Sequence, residues 1–186
     1  MSQIVWVNGP FGAGKTSTAQ ELVDSDPRYR LFDPEFVGFM LRAQLADAAA
    51  ADFQALPSWR RLTPIVAHEI TETTGQNLVS VQTVLNQQYW NELSEGIRAQ
   101  GHSLHLVLIE ASEATLRRRI SEDEVLHRAA GWRLQHLPDY FAARDDWLGE
   151  AADLIVDTTA SSPRAAARQI REAIAVWSEP DIPERQ

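Results

Sequence analysis

A glycine-rich segment near the start of the chain constrains its fold more than any other feature. Residues 9–16 have the sequence GPFGAGKT, which matches the pattern G-x-x-x-x-G-K-[ST] at every position. The apolar run 3–8 before them predicts a buried strand, and residues 16–23 after them carry apolar side chains at helical spacing. Strand, glycine loop and helix in this order are the context in which the pattern binds phosphate. We therefore predict a phosphate-binding loop at this position.

The glycines of this loop allow successive backbone N–H groups to point at one anion, and the following helix adds the positive end of its dipole. We therefore assign nucleotide binding to the loop and the residue behind it, namely Gly9, Pro10, Phe11, Gly12, Ala13, Gly14, Lys15, Thr16 and Ser17. In this pattern the hydroxyl of Thr16 is placed to bind Mg²⁺. The chain contains no G-x-G-x-x-G sequence, so a dinucleotide-binding fingerprint is excluded.

Lys15 is the only lysine of the chain, and every other member of its 17 Lys and Arg residues is an arginine. A compact ammonium on a flexible stem reaches between the β- and γ-phosphates of a nucleotide, where a planar guanidinium is too broad. The exception in residue use thus has a chemical reason. We predict that Lys15 is a catalytic residue.

Length and composition fit one domain, because 186 residues with 44% apolar content can fill a single core. We expect this domain over residues 1–178 and a disordered tail over 179–186. The absence of cysteine excludes disulfides and thiol chemistry. No signal-like segment and no apolar run of about 20 residues is present, so we expect a cytoplasmic protein without a membrane span. A net charge of −9 argues against a nucleic-acid surface, and the oligomeric state is left open.

Strand-like runs alternate with helical patterns along the rest of the chain. The further strands are predicted over residues 29–33, 77–83, 103–109 and 154–157. Helices are predicted over 34–49, from a cap at Ser58, around 89–97, over 113–121 and 139–149, and after Ser162. This alternation indicates an α/β fold, in which helices cover both faces of a parallel sheet and ligands bind outside the carboxyl ends of the strands.

Four stretches together resemble the tunicamycin-resistance protein family, a group of small P-loop kinases: residues 4–18, residues 33–42, Asp52-Phe53-Gln54 with Trp59-Arg60, and Asp157-Thr158-Thr159. The resemblance implies the P-loop kinase fold, a five-stranded parallel sheet in the order 2-3-1-4-5 with a lid. It also implies that ATP and Mg²⁺ bind, with Asp157 and Thr158 at the nucleotide. A role in resistance to a nucleoside antibiotic makes tunicamycin a candidate acceptor.

Asp33 follows the second strand and is the candidate that orients the acceptor hydroxyl, either by accepting its proton or by holding a water on Mg²⁺. The alternative is a helix cap, which an Asp before a Pro also provides. The other candidates on the acceptor side are Arg42, Trp59, Arg60 and Gln82. For the two arginines the alternative is an exposed helix face, and for Trp59 it is the core.

Three arginines are candidates for the cations around the transferring phosphate. Arg119 stands three residues after Leu116, which is the L-x-x-R spacing of P-loop kinases. Arg128 and Arg133 lie in the polar segment 122–137, which we call the lid segment and expect to close over the phosphate and exclude water. We expect at least one of the three to be catalytic.

The third strand, over residues 77–83, ends in amides and hydroxyls rather than in an acid. The metal then depends on Thr16, the phosphates and water, with Asp33 as a second candidate ligand. We interpret the chain as an ATP-dependent small-molecule phosphotransferase with a nucleoside-like or sugar-bearing acceptor. The alternatives are a resistance protein that sequesters its drug without chemistry, which the missing acid favours, and a cellular nucleoside or nucleotide kinase.

Overall fold

The strands form one all-parallel sheet in the order β2-β3-β1-β4-β5, which confirms the predicted topology. The computed structural model describes residues 2–45 and 52–178. In these ranges the strands are β1 (Gln3–Asn8), β2 (Tyr29–Phe32), β3 (Asn77–Val81), β4 (Ser103–Glu110) and β5 (Leu154–Asp157). β1 is central, and all six of its residues are buried. Its four inner residues, 4–7, are all apolar, as expected for a strand covered on both faces.

Helices cover both faces of this sheet, and none of them within the described ranges is both long and apolar enough to cross a membrane. Their bounds are α1 (Lys15–Ser25), α2 (Glu35–Gln44), α3 (Pro57–Thr74), α4 (Gln87–Ala99), α5 (Glu113–Ser121), α6 (Ala130–Gln135), α7 (Leu137–Ala143), α8 (Gly149–Ala151) and α9 (Pro163–Trp177). A π-helical turn, Arg144–Leu148, joins α7 to α8.

Alternate residues of β1 point into two separate cores, because successive side chains of a strand face opposite sides of the sheet. Ile4 and Trp6 pack in the core under α3, α4 and α7. Val5 and Val7 pack in the core under α1, α5 and α9. The carboxyl end of β1 therefore emerges between two filled layers, and the glycine loop follows it directly.

Two predicted helix boundaries differ from the structure. Ser58 does not cap α3: the cap is Leu56, and Pro57 takes the first helical position, where its fixed φ and missing N–H cost nothing. α2 ends at Gln44 rather than at residue 49, and a short 3-10 helix, Phe53–Ala55, precedes α3. Residues 46–49 of the predicted helix and the predicted tail 179–186 lie outside the described residues.

The lid segment contains regular structure that its polar sequence did not reveal. A 3-10 turn, His127–Ala129, leads into α6, and α7 begins at its end. The cap of α9 follows the prediction, since the Ser162 hydroxyl accepts a hydrogen bond from the N–H of Ala165 at 3.2 Å. The lid segment and the start of α9 both lie at the edge of the sheet that carries the glycine loop.

Candidate active site

Two glycines give the loop a shape that no other residue can take. Gly9 has φ 141°, and a Cβ built on it would lie 2.0 Å from the carbonyl oxygen of Ile109. Gly14 has φ 90° and caps α1, with no side chain bonded to the first N–H groups of the helix. These N–H groups have no acceptor within the helix. The loop therefore offers a cradle of backbone donors that a phosphate group fits.

The start of the loop is held by two residues that the sequence analysis did not identify. Asn8 accepts hydrogen bonds from the N–H groups of Gly9 at 2.7 Å and Val84 at 3.2 Å, and donates to the Val84 carbonyl at 2.9 Å. Thr83 donates its hydroxyl proton to the carbonyl of Gly9 at 2.7 Å. The segment after β3 therefore fixes the backbone of the loop. The only sequence signal was a polar residue, Asn8, at the end of an apolar strand.

Lys15 folds over the loop that carries it. Its ammonium donates hydrogen bonds to the carbonyl oxygens of Gly9 and Pro10, both at 2.8 Å. Burial, followed by the positive charge of Arg133, lowers the pKa of Lys15 to about 7, and the charge of Glu35 opposes this shift. A phosphate group beside Lys15 would supply the negative charge that restores the protonated form.

Thr16 and Ser17 expose their side chains at the first turn of α1. The hydroxyl of Thr16 is an oxygen donor of the kind that Mg²⁺ prefers. In the described ranges no group of three or more His, Asp or Glu side chains is arranged to hold a metal ion. A metal at this turn would take the Thr16 hydroxyl as one ligand, with Asp33, phosphate oxygens and water as the further ligands that the sequence analysis named.

Asp33 lies directly after β2, and its Oδ1 accepts a hydrogen bond from the N–H of Glu35 at 2.9 Å. This contact is the capping arrangement at the start of α2. Glu35 is a further carboxyl group here, which the sequence analysis did not identify. Burial, followed by the negative charge of Asp33, raises the pKa of Glu35, and the positive charges of Lys15 and Arg42 oppose this rise. The structure therefore brings two carboxyl groups to the Lys15 side of the sheet.

The other candidates of the acceptor side lie at different depths. The Arg42 guanidinium lies 5.3 Å from the ring centre of Phe53. Trp59 is fully buried and donates its indole N–H to the carbonyl of Pro34 at 3.0 Å, which is the core alternative considered for it. Gln82 is buried beyond the end of β3, and its carbonyl accepts the indole N–H of Trp6 at 3.0 Å.

Arg60 is 7% exposed and has protein partners on three sides. It donates to a carboxylate oxygen of Glu92 at 2.6 Å and to the carbonyl of Gln54 at 2.5 Å. Its guanidinium also lies 4.2 Å from the ring centre of Tyr89. These contacts anchor α3 to α4. They occupy N–H groups that the sequence analysis assigned to binding the phosphate-accepting substrate.

Arg119 joins the glycine loop to the turn after β5. It donates to the carbonyl of Gly12 at 3.3 Å and to the carbonyl of Thr158 at 2.7 Å. The Thr158 hydroxyl lies 2.8 Å from the carbonyl of Ala13, to which it donates. Asp157 accepts the N–H of Thr159 at 2.7 Å, and hydrogen bonds from the side chain and backbone of Thr159 lower its pKa. A cavity of about 310 Å³ opens beside this turn.

The two arginines of the lid segment differ in position. Arg133 is 7% exposed, and its guanidinium lies 5.7 Å from the ring centre of Phe11 in the loop. It also donates to a carboxylate oxygen of Asp123 at 2.7 Å. Arg128 is exposed on the 3-10 turn. The structure therefore gathers Lys15, Arg119 and Arg133 around the loop from three different elements and leaves Arg128 outside this group.

Comparison with known proteins agrees with this geometry. A family model described as an AAA domain matches residues 4–130, which include the glycine loop, Asp33 and Arg119. A comparison with curated proteins gives no significant match.

Several solved structures are similar over nearly the whole chain. The tunicamycin resistance protein of Deinococcus radiodurans is 26% identical, with a TM-score of 0.70 over 94% of this chain and 96% of that chain. A sugar kinase of Janibacter sp. HTCC2649 is 16% identical, with a TM-score of 0.68 over 95% and 96%. The APS kinase CysC of Mycobacterium tuberculosis, solved with AMPPNP and APS, is 17% identical, with a TM-score of 0.67 over 94% and 98%. These similarities confirm the predicted fold and the resemblance to tunicamycin resistance proteins.

Proposed function

The chain belongs to a family of AAA domains, and from this membership we propose that it is an ATP-dependent phosphotransferase acting on a small molecule. The observation that carries the proposal is the set of three cations, Lys15, Arg119 and Arg133, around a glycine loop, with Asp33 directly after β2, two strands away from β1 in the sheet. Phosphoryl transfer depends on positioned phosphates, cations and an oriented hydroxyl, and this arrangement supplies groups for each.

In the proposed reaction, the acceptor hydroxyl oxygen forms a bond to the γ-phosphorus while the bond to the β–γ bridging oxygen breaks. The products are ADP and a phosphorylated acceptor. Asp33 accepts the hydroxyl proton, Lys15 contacts the β- and γ-phosphates, and Arg133 stabilises the charge on the transferred group. Mg²⁺ at Thr16 would neutralise phosphate charge when bound. The turn at Asp157 and Thr158, held by Arg119, would take the nucleoside end of ATP.

The acceptor in this proposal is nucleoside-like or sugar-bearing. The solved neighbours include a protein named for tunicamycin resistance and a sugar kinase, and tunicamycin is therefore the first acceptor to test. Of the acceptor candidates, Arg42 and Gln82 remain proposals together with Asp33 and the newly identified Glu35. The burial of Trp59 and the partners of Arg60 favour structural roles for these two residues. A cytoplasmic setting, where ATP is available, remains part of the proposal.

Sequestration of a drug without chemistry is the second candidate function. One observation favours it: the segment after β3 provides Gln82 and Thr83, with no acid to support the metal. A cellular nucleoside or nucleotide kinase is the third candidate, and it differs from the leading proposal only in its natural acceptor.

The test is incubation of the protein with γ-labelled ATP and a panel of tunicamycin, nucleosides and simple sugars, with and without Mg²⁺. We expect Mg²⁺-dependent label in one acceptor, and no label with Lys15→Met as the matched control. Tunicamycin binding without label in any acceptor would replace the proposal with sequestration. Faster labelling of an ordinary nucleoside than of tunicamycin would favour the cellular kinase.

A further inference from the structure

Phe11 occupies a position of the loop at which the phosphate-binding pattern accepts any residue. Among the described residues only glycines have positive φ, so the backbone at Phe11 neither requires nor excludes an aromatic side chain. The side chain is only partly buried. A reason for a ring at this position must therefore come from what the ring contacts.

The ring of Phe11 contacts two cations and one further ring. Its centre lies 5.8 Å from the ammonium of Lys15 and 5.7 Å from the guanidinium of Arg133. Its edge-to-face partner is Trp132, with ring centres 5.3 Å apart and planes at 61°. Both distances to cations are within the roughly 6 Å over which a cation is attracted to an aromatic face. Trp132 and Arg133 are consecutive in α6, so the ring of Phe11 packs against two adjacent side chains of the lid segment.

These contacts oppose an electrostatic cost. Protonated Lys15 carries the same charge as Arg133, and the repulsion between them is one cause of its lowered pKa. Asp123 pairs with Arg133 at 2.7 Å and offsets part of this repulsion, but its carboxylate contacts the guanidinium of Arg133 and not the ammonium of Lys15. The negative face of the Phe11 ring attracts both cations and adds dispersion contact with Trp132. The aromatic ring thus favours the arrangement in which the lid segment lies against the loop.

Arg133 also retains a donor for use at the loop. Its Nε is buried and has no hydrogen-bond partner in the structure. A buried N–H without an acceptor costs free energy, which an anion on the loop would recover by accepting its proton. The guanidinium is therefore held by Phe11 and Asp123 without using all its donors.

We propose that Phe11 is a positioning residue, whose ring holds Arg133 of the lid segment beside Lys15 at the phosphate loop. Its effect on catalysis rests on the proposed phosphotransferase function, whereas the contact itself does not. Phe11 acts through Arg133: the ring places the guanidinium over the loop before the transferring phosphate engages it. An aliphatic side chain of similar size fills the space without the electrostatic attraction.

The structural test uses amide hydrogen exchange of the nucleotide-free protein. In Phe11→Leu we expect exchange in residues 127–135 to become on the order of 10-fold faster, while α9 exchanges as in the wild type. Phe11→Tyr retains the ring and should keep the wild-type rates. Phe36→Leu, which removes an exposed ring outside the lid segment, is the matched control. Unchanged rates in Phe11→Leu, or equally raised rates in Phe11→Tyr, would overturn the proposal.

The kinetic test uses the acceptor found in the labelling experiment. Phe11→Leu should lower kcat by about 10-fold with little change in the KM for ATP, and Phe11→Tyr should restore kcat. Because Phe11 acts through Arg133, Arg133→Met should lower kcat much less in the Phe11→Leu background than in the wild type. Fully additive effects would overturn the proposal. If the wild type labels no acceptor, the proposed function fails, and hydrogen exchange alone decides the role of Phe11.

Discussion

At the residue scale, Asp33 has two roles that one substitution separates. Its Oδ1 accepts the N–H of Glu35 and so begins α2, and its charge is the proposed acceptor of the hydroxyl proton. Asparagine keeps the carbonyl-type oxygen that caps the helix and loses the basic carboxylate. A structural role and a catalytic role therefore predict different results for the same variant.

We expect Asp33→Asn to lower turnover by roughly 10² to 10⁴, the usual scale of general acid–base catalysis, with nearly unchanged ATP affinity. Turnover is measured by label transfer and affinity by equilibrium binding of a fluorescent ATP analogue. Asp52→Asn is the matched control, since Asp52 caps its 3-10 helix through the same contact, from the N–H of Gln54 at 2.9 Å. Normal turnover would leave Asp33 as a cap alone, and a parallel loss of ATP affinity would indicate a metal ligand.

Lys15 permits a second test at the residue scale because it is the only lysine. Its pKa of about 7 makes the free amine the main form above that pH, so acylation should increase as the pH rises through about 7. Mg²⁺-ATP should suppress the reaction at pH 8, because phosphate charge raises the pKa and the nucleotide blocks approach. Peptide mapping after treatment with an acylating reagent measures this.

The N-terminal amine is the internal control for this reaction, since its usual pKa of about 7.7 to 8.0 keeps it reactive at pH 8. AMP lacks the β-phosphate that Lys15 should contact, and it should protect poorly. Equal acylation of Lys15 with and without saturating ATP would contradict the assignment of the phosphate loop and the functions that depend on it.

At the scale of elements, α3 meets the start of β4 through two histidines. The Nδ1 of His68 lies 3.1 Å from the Nε2 of His102, and His102 is 5% exposed. A contact between two ring nitrogens holds one proton, so both rings cannot be cationic without repulsion. Burial first, and then the charge of His68, lower the pKa of His102, while Glu72 opposes the shift.

This pair predicts how stability depends on pH. The unfolded chain binds a proton at His102 near pH 6.5, and the folded chain binds it only at lower pH. The contribution of neutral His102 to the free energy of unfolding is therefore present above about pH 6.5 and is lost as the pH falls below this value. Thermal unfolding between pH 8 and pH 5.5 should show a falling Tm, and His102→Gln should flatten the decline. His127→Gln, which removes an exposed histidine far from this pair in the chain, is the control. A wild-type Tm that is constant over this range would refute the prediction.

At the scale of the whole molecule, local pattern was sufficient for the strands and the loop, whereas the order of the strands came from the resemblance to tunicamycin-resistance proteins. Apolar runs gave the strands, helical spacing gave the helices, and the glycine loop fixed the site at the end of β1. The contacts around the site could not be read in this way. Asn8 meets Val84 across 76 positions of the chain, and Glu35 and Phe11 gain their significance from Lys15 and Arg133. Such pairs depend on how the elements pack, which residue spacing does not encode.

The sheet order also divides the site into parts that come from separate stretches of the chain. β2 and β3 lie on one side of β1, and β4 and β5 lie on the other. The proposed acceptor residues, from Asp33 to Gln82, therefore come from one unbroken stretch of chain, and the lid segment and the turn at Thr158 come from a later one. Mutations in the earlier stretch can drift toward a new acceptor while the machinery for the phosphate donor stays intact.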